Sequence, residues 1–222
     1  MSKIAYLCPT NKHSATYMSA NDHIKEDVIQ EQILQAAKQL FQIHGFRKVT
    51  MDDVAKAIGK GRSSLYYYYK SKEEILEAVM GVEIREMLSA IALEVDRVKT
   101  AEQKIHAFCL TKLQFLRARR AFYNTMDVGM DAEEMSSFRK ATHAIHSHIM
   151  KQESDLLRQI LLGCMEKGEI RAIDQKGQDT LIFVLLSSLH GLKREMVIEN
   201  DFSGIEPAID TLTHMVIHGL KK

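Results

Sequence analysis

Apolar residues recur at intervals of three and four along almost the whole chain between its only prolines, Pro9 and Pro207, and that spacing lines one side of an α-helix. The pattern predicts an all-α protein. A first helix is expected from about Glu26 to His44, with Ile29, Ile33, Ala37, Leu40 and Phe41 on one stripe and Gly45 as its stop. A short helix follows in "KVTMDDVAKAIG", where Thr50 stands as N-cap and Asp53 three residues on completes a capping box; the helix ends by Gly59. After Gly61 comes a third short helix. Ser71 and Glu74 form a second capping box, opening a long amphipathic helix through Ile75, Val79, Val82, Met87, Leu88, Ile91 and Val95.

A helix, a short capped helix, a glycine-bearing turn and another short helix make the pattern of a helix-turn-helix, whose last helix lies in the DNA major groove. Charge agrees with it. From Arg47 to Lys72 seven cations stand against two anions, a balance of +5 that leaves the rest of a chain of net charge +1 at −4. A basic end on an otherwise acidic chain suits phosphate contact, because released counterions supply most of the non-specific affinity for DNA.

The stretch "TMDDVAKAIGKGRSSLYYYYKSKEEIL" resembles the tetracycline-repressor (TetR) family of bacterial regulators, with the likeness running from about Ile33 to Met80. It is similar to that family's run of T, D-I-A, A-G-V-S, G-T-L-Y-x-Y-F and S-K-E-E-L. Two positions depart from it: Lys60 stands where an apolar valine is usual, and Gly61 where a capping serine is. The resemblance implies a recognition helix from about Arg62 to Tyr68, with Leu65 and Tyr69 facing inward. It implies DNA contacts by Thr50, Arg62, Ser63, Ser64, Tyr66, Tyr67 and Lys72, of which Arg62, Ser63 and Ser64 are best placed for base edges. Lys60 is expected to add a phosphate contact. Tyr67 should direct its hydroxyl at a phosphate, and Tyr66 should lie against the backbone.

Beyond Ala101 the periodicity suggests five further helices: from the Thr100 cap to about Thr125, then roughly Ala132 to Met150, Lys151 to Lys167, Gln175 to Asn200 and Ile205 to Gly219. The fourth is apolar almost all round yet carries Ser187, Ser188 and Gly191, small residues that let another helix approach. The last places Ile209, Leu212, Thr213, Val216, Ile217 and Leu220 on one face. Such a pair suits a four-helix dimer seam, where the resemblance also puts it, and Leu185, Ser188, Leu189, Leu192, Leu212 and Val216 are the candidate interface residues. The other helices would enclose the family's effector cavity. Its candidate lining is Met87, Phe108, Cys109, Phe115, Phe122, Met126, Met130 and Phe138, since methionine and phenylalanine suit adaptable apolar pockets. "RARR", Arg117 to Arg120, reads as a solvated face, with an anionic ligand as the sharper alternative. His143, His146 and His148, and the pair His214 and His218, lack a matching cysteine or carboxylate motif, so no metal is expected. No cofactor is expected either.

Composition narrows the classes. With 45% hydrophobic residues the chain can bury a real core, and its three cysteines, Cys8, Cys109 and Cys164, are odd in number and in no C-x-x-C arrangement. That excludes a disulfide framework and fits a reducing cytoplasm. No apolar run approaches the roughly 18 residues of a membrane span, and no P-loop, G-x-G-x-x-G, H-E-x-x-H or G-x-S-x-G pattern supports an enzyme. The expected organisation is a flexible extension over 1–23, a DNA-binding domain over 24–72 and a helical ligand-binding and dimerisation domain over 73–222. Residues 1–17 read as a start-site extension, with Met18 able to open a shorter chain. The expected function is a ligand-responsive repressor, a homodimer on palindromic double-stranded DNA released by a small, mainly apolar effector. The alternative is an architectural or cell-division DNA-binding protein of the same fold that acts through a protein partner. An apolar cavity among the C-terminal helices favours the first, and a filled core with an exposed apolar patch the second.

Overall fold

The computed structural model describes residues 20–124 and 132–220, so residues 1–19 of the expected N-terminal extension, Met18 among them, and the candidate ligand residues Met126 and Met130 lie outside the described residues, whereas residues 20–23 of that extension belong to the first helix. Among the described residues the chain folds into helices without strands: α1 Ala20–Lys48, α2 Met51–Ala57, α3 Arg62–Tyr68, α4 Lys72–Asp96, α5 Ala101–Ala118, α6 Arg120–Asn124, α7 Ala132–Glu166, α8 Gln175–Ile198 and α9 Ile205–Leu220.

Local chemistry starts and stops the N-terminal elements. Gly45, at φ 77° and ψ 159°, interrupts α1 with a backbone that residues bearing a Cβ almost never adopt. The chain turns there, which lets Phe46 fold back onto Phe41 with ring centroids 5.3 Å apart. Gly45→Ala should therefore cost roughly 1–3 kcal/mol, read as a fall of several degrees in Tm by circular dichroism; an unchanged Tm would mean that the turn is not needed for packing. Thr50 and Asp53 form the expected capping box, each side chain bonded to the other's backbone amide. The hydroxyl of Ser71 also accepts from the Glu74 amide, at 3.3 Å, but the expected reciprocal half is absent. The Glu74 carboxylate takes the Lys70 amide at 2.7 Å instead, because Lys70 is the donor left open between α3 and α4.

Two apolar clusters share α4, whose 25 residues reach about 37 Å. Ile75, Leu76, Val79 and Ile84 join Ile33, Ala37, Phe41, Val54 and Leu65 in the first; Met87, Ile91 and Val95 join α5, α7, α8 and α9 in the second. α4 packs against α1, α5 and α7, and α5 runs among α7, α8 and α9. Three ionisable residues sit fully buried on these apolar stripes, each answered from another helix. Glu83 of α4 meets Lys38 of α1 and Arg119 at the α5–α6 junction, the latter at 2.6 Å. Lys112 of α5 meets Glu153 of α7 at 2.7 Å.

The C-terminal elements differ from expectation in two places. The helix capped by Thr100 breaks at Arg119 (φ −107°, ψ 11°) and resumes as α6, where the sequence pattern ran on unbroken to about Thr125. The Arg119 guanidinium is held there by Glu83, by Glu86 at 2.8 Å and by the Phe115 ring. Conversely, α7 is one helix where two were expected, because Glu153 occupies a core position and breaks the apolar stripe without breaking the helix.

Candidate nucleic-acid interface and effector cavity

Short α2 and α3 can stand out from the body because each is anchored by a few apolar side chains: Met51, Val54 and Ala55 in α2, and Leu65 alone in α3. Every other residue of α3 is exposed or half-buried. Its first turn, Arg62, Ser63 and Ser64, is entirely exposed and faces solvent with three hydrogen-bonding side chains. The four tyrosines divide accordingly. Tyr66, Tyr68 and Tyr69 are half-buried against the first core cluster, and Tyr67 is 65% exposed. Tyr69 has already left the helix, at φ −136° and ψ 133°.

Arg62 and Tyr67 each have a side-chain partner at the surface. The Arg62 Nε lies 3.2 Å from Asp52 Oδ1, its guanidinium carbon sits 5.5 Å from the Tyr66 ring centroid, and it donates to the Tyr66 hydroxyl at 3.4 Å. The Tyr66 bond first and the Asp52 charge second push Arg62 further up from its ordinary range. An exposed ion pair is screened by solvent and worth little, so it does not commit Arg62 against a base-edge contact. The Tyr67 hydroxyl donates to Glu26 Oε1 at 3.0 Å, a carboxylate bond that raises the phenol and that a phosphate oxygen reproduces.

The expected phosphate contacts behave differently from one another. Lys60 is exposed in the turn and free of side-chain partners among the described residues. Lys72 is half-buried: its ammonium donates to the carbonyls of Phe46 and Arg47, both at 3.3 Å, and lies 4.6 Å from the Phe46 ring centroid. It ties the end of α1 to the start of α4, a tertiary task that its place in a charged turn does not reveal. Thr50 is exposed but committed to its cap.

Residues 33–79 match the family model described as bacterial regulatory proteins, tetR family. That segment is a TetR-family DNA-binding unit. Over 154 residues it is 26% identical to the uncharacterized HTH-type transcriptional regulator YhgD of Bacillus subtilis, covering 69% of this chain and 76% of that one. Over 94 residues it is 24% identical to the HTH-type transcriptional repressor AcnR of Corynebacterium diphtheriae, covering 40% and 50%. The fold matches the crystal structure of the transcriptional regulator FadR of Bacillus subtilis in complex with stearoyl-CoA, with a TM-score of 0.63 at 16% identity over 86% of this chain and 98% of that one. All three are named as regulators of transcription.

In this chain the candidate effector residues do not gather around one space. Met87, Phe108 and Cys109 are buried in the second core cluster, whereas Phe122 and Phe138 join the first, with Phe138 5.4 Å from the Phe46 ring. Phe115 is half-buried beneath the Arg119 guanidinium. Close packing left these side chains no free wall. A partly enclosed cavity of about 140 Å³ opens instead between α5, α6, α8 and the α8–α9 connection, with Leu113, Leu116, Met196 and Phe202 among its walls. None of the expected residues that are described borders it. Its arginines, Arg117 and Arg120, come from the "RARR" run.

The candidate seam residues also separate. Leu185 and Leu189 are buried within the chain's own core, and Ser188, Leu192, Leu212 and Val216 are half-buried. The large apolar residues that α8 and α9 turn outward are Phe183 at 64% exposure, Val184 at 51% and Met215 at 66%, with Val197 and Ile198 at the end of α8. An all-round apolar helix gives no phase from which to choose its outer face. Among the described residues no three His, Cys, Asp or Glu side chains are arranged to hold a metal ion, and no helix is long and apolar enough to cross a membrane.

Proposed function

We propose that this regulator is a homodimeric repressor that reads palindromic operator DNA in the cytoplasm through α3 and releases it when a small molecule occupies the C-terminal helices. Residues 24–72 would form the DNA-binding domain and 73–222 the effector-binding and dimerisation domain. The observation that carries the reading is the wholly exposed first turn of α3, with Arg62, Ser63 and Ser64 presented on an element held by Leu65. The cavity beside α5 and α8 supports a small-molecule effector over a protein partner. Coupling has a physical route: Arg119, one residue before the cavity's Arg120, grips the buried Glu83 that also holds Lys38 of α1. An effector that favours one arrangement of α6 over another biases the tilt of α1 and hence of α3 by its differential affinity.

Selection from a random DNA pool should return a palindrome with major-groove half-sites about one helical turn apart. On that operator Arg62→Ala should relax preference at one position, at a cost of about 1–3 kcal/mol. Lys60→Ala and Tyr67→Phe should weaken all sequences alike, and Lys60→Ala should lower the slope of log K against log salt by about one unit. Fluorescence anisotropy across a salt series measures both effects. If Arg62→Ala weakened every sequence equally while Lys60→Ala changed the preferred bases, α3 would not be the reading element.

A further inference from the structure

Three cations stand around the cavity, and among the described residues no carboxylate lines it. Arg117 and Arg120 hold their guanidinium carbons 5.9 and 5.5 Å from the centroid of the Phe202 ring, and Arg120 donates to the Asn200 amide oxygen at 3.1 Å. Neither has a carboxylate partner among the described residues. Lys193 of α8 reaches in from the side with its ammonium 5.4 Å from the Tyr123 ring and likewise has no carboxylate bonded to it. The buried carboxylates that act on the cavity's residues are already taken, Glu153 by Lys112 at 2.7 Å and Glu83 by Arg119 at 2.6 Å. Like charges gathered at an apolar opening repel one another, and a guest that brings a negative charge removes the repulsion.

Resting on the effector reading above, we propose that this cavity binds a compact organic anion, a single carboxylate on one ring or a short chain, with its charge on Lys193, Arg117 and Arg120 and its apolar body among Leu113, Met196 and Phe202. Size decides between short and long guests. The cavity measures about 140 Å³, close to the roughly 150 Å³ that accepts a benzene ring and below the roughly 300–1,000 Å³ of sites for drug-sized ligands. A long acyl chain does not fit. Burial, together with the charge of Lys112, lowers the Lys193 ammonium, which is the environment a bound anion would relieve. Tyr123 complements it: burial pushes its phenol up to about 12, so it remains a donor near the carboxylate.

Benzoate and its neutral counterpart benzamide, titrated into the full-length protein by calorimetry, separate charge from shape. Benzoate should bind about tenfold or more tightly than benzamide. Lys193→Met should erase that difference, and Lys193→Arg should keep it, with circular dichroism melts showing both variants folded. Equal binding of the two probes to the wild-type protein overturns the proposal without recourse to any variant, as does tight binding of palmitoyl-CoA with none of benzoate. Operator release is scored separately by anisotropy. Benzoate that binds as described yet leaves operator affinity unchanged refutes the effector reading and keeps the anion site; operator release by a neutral ligand with no benzoate binding does the reverse.

Discussion

Glu153→Leu or Lys112→Met alone should each lower stability by about 3–5 kcal/mol, and the two together should restore most of the loss. Lys112 and Glu153 are 1% and 0% exposed, with ammonium and carboxylate 2.7 Å apart between α5 and α7. Burial pushes the Glu153 carboxyl up, and Lys112 pulls it back. Removing one partner strands a charge where water does not reach, which is why the single changes are severe. Removing both replaces an ion pair by methylenes of similar volume, an exchange that is often neutral or stabilising. The Glu153 Oε1 atom also lacks a hydrogen-bond partner among the described residues, so the native pair is not fully satisfied to begin with. Urea unfolding of the four proteins completes a double-mutant cycle. Single variants within about 1 kcal/mol of wild type would show that water reaches this pair.

Phe183→Glu should convert the proposed dimer to monomers by sedimentation while leaving the melting of each protomer close to wild type. Leu189→Ala should do the opposite, costing about 2–5 kcal/mol of stability with the dimer retained once folded. The difference is one of direction around a single helix. Phe183 is 64% exposed and flanked on the same helix by exposed Val184, Ser187 and Gly191, an apolar and small-residue stripe that a second copy can cover. Leu189 is 0% exposed within its own chain. A charge at Phe183 meets water in the monomer and a desolvated partner in the dimer, so only association is penalised. A dimer of unchanged mass in Phe183→Glu would move the seam to another surface.

The sequence by itself determined most of what depends on neighbours within about one helical turn. The capping box of Thr50 and Asp53, the stop at Gly45, the short helix from Arg62 to Tyr68 and the long helix opened by Ser71 are local chemistry, in which one side chain satisfies an amide three residues away or a glycine accepts a conformation closed to others. The family likeness also sits in that segment, because the element that reads DNA is built from consecutive residues. Tertiary structure alone decided which polar residues on the apolar stripes are core. Glu83, Lys112 and Glu153 look like interruptions in a pattern of threes and fours, and each is buried because a counter-charge arrives from a distant helix. It decided that Lys72 braces α1 against α4, that α5 breaks at Arg119 where no glycine or proline marks a break, and which side of α8 faces out. It also placed the cavity on Arg117, Arg120 and Lys193 and filled the space around Met87, Phe108, Phe122 and Phe138. Periodicity reports that a helix has an apolar side; only the packing of several such sides against each other decides where a charge is answered and where a gap is left.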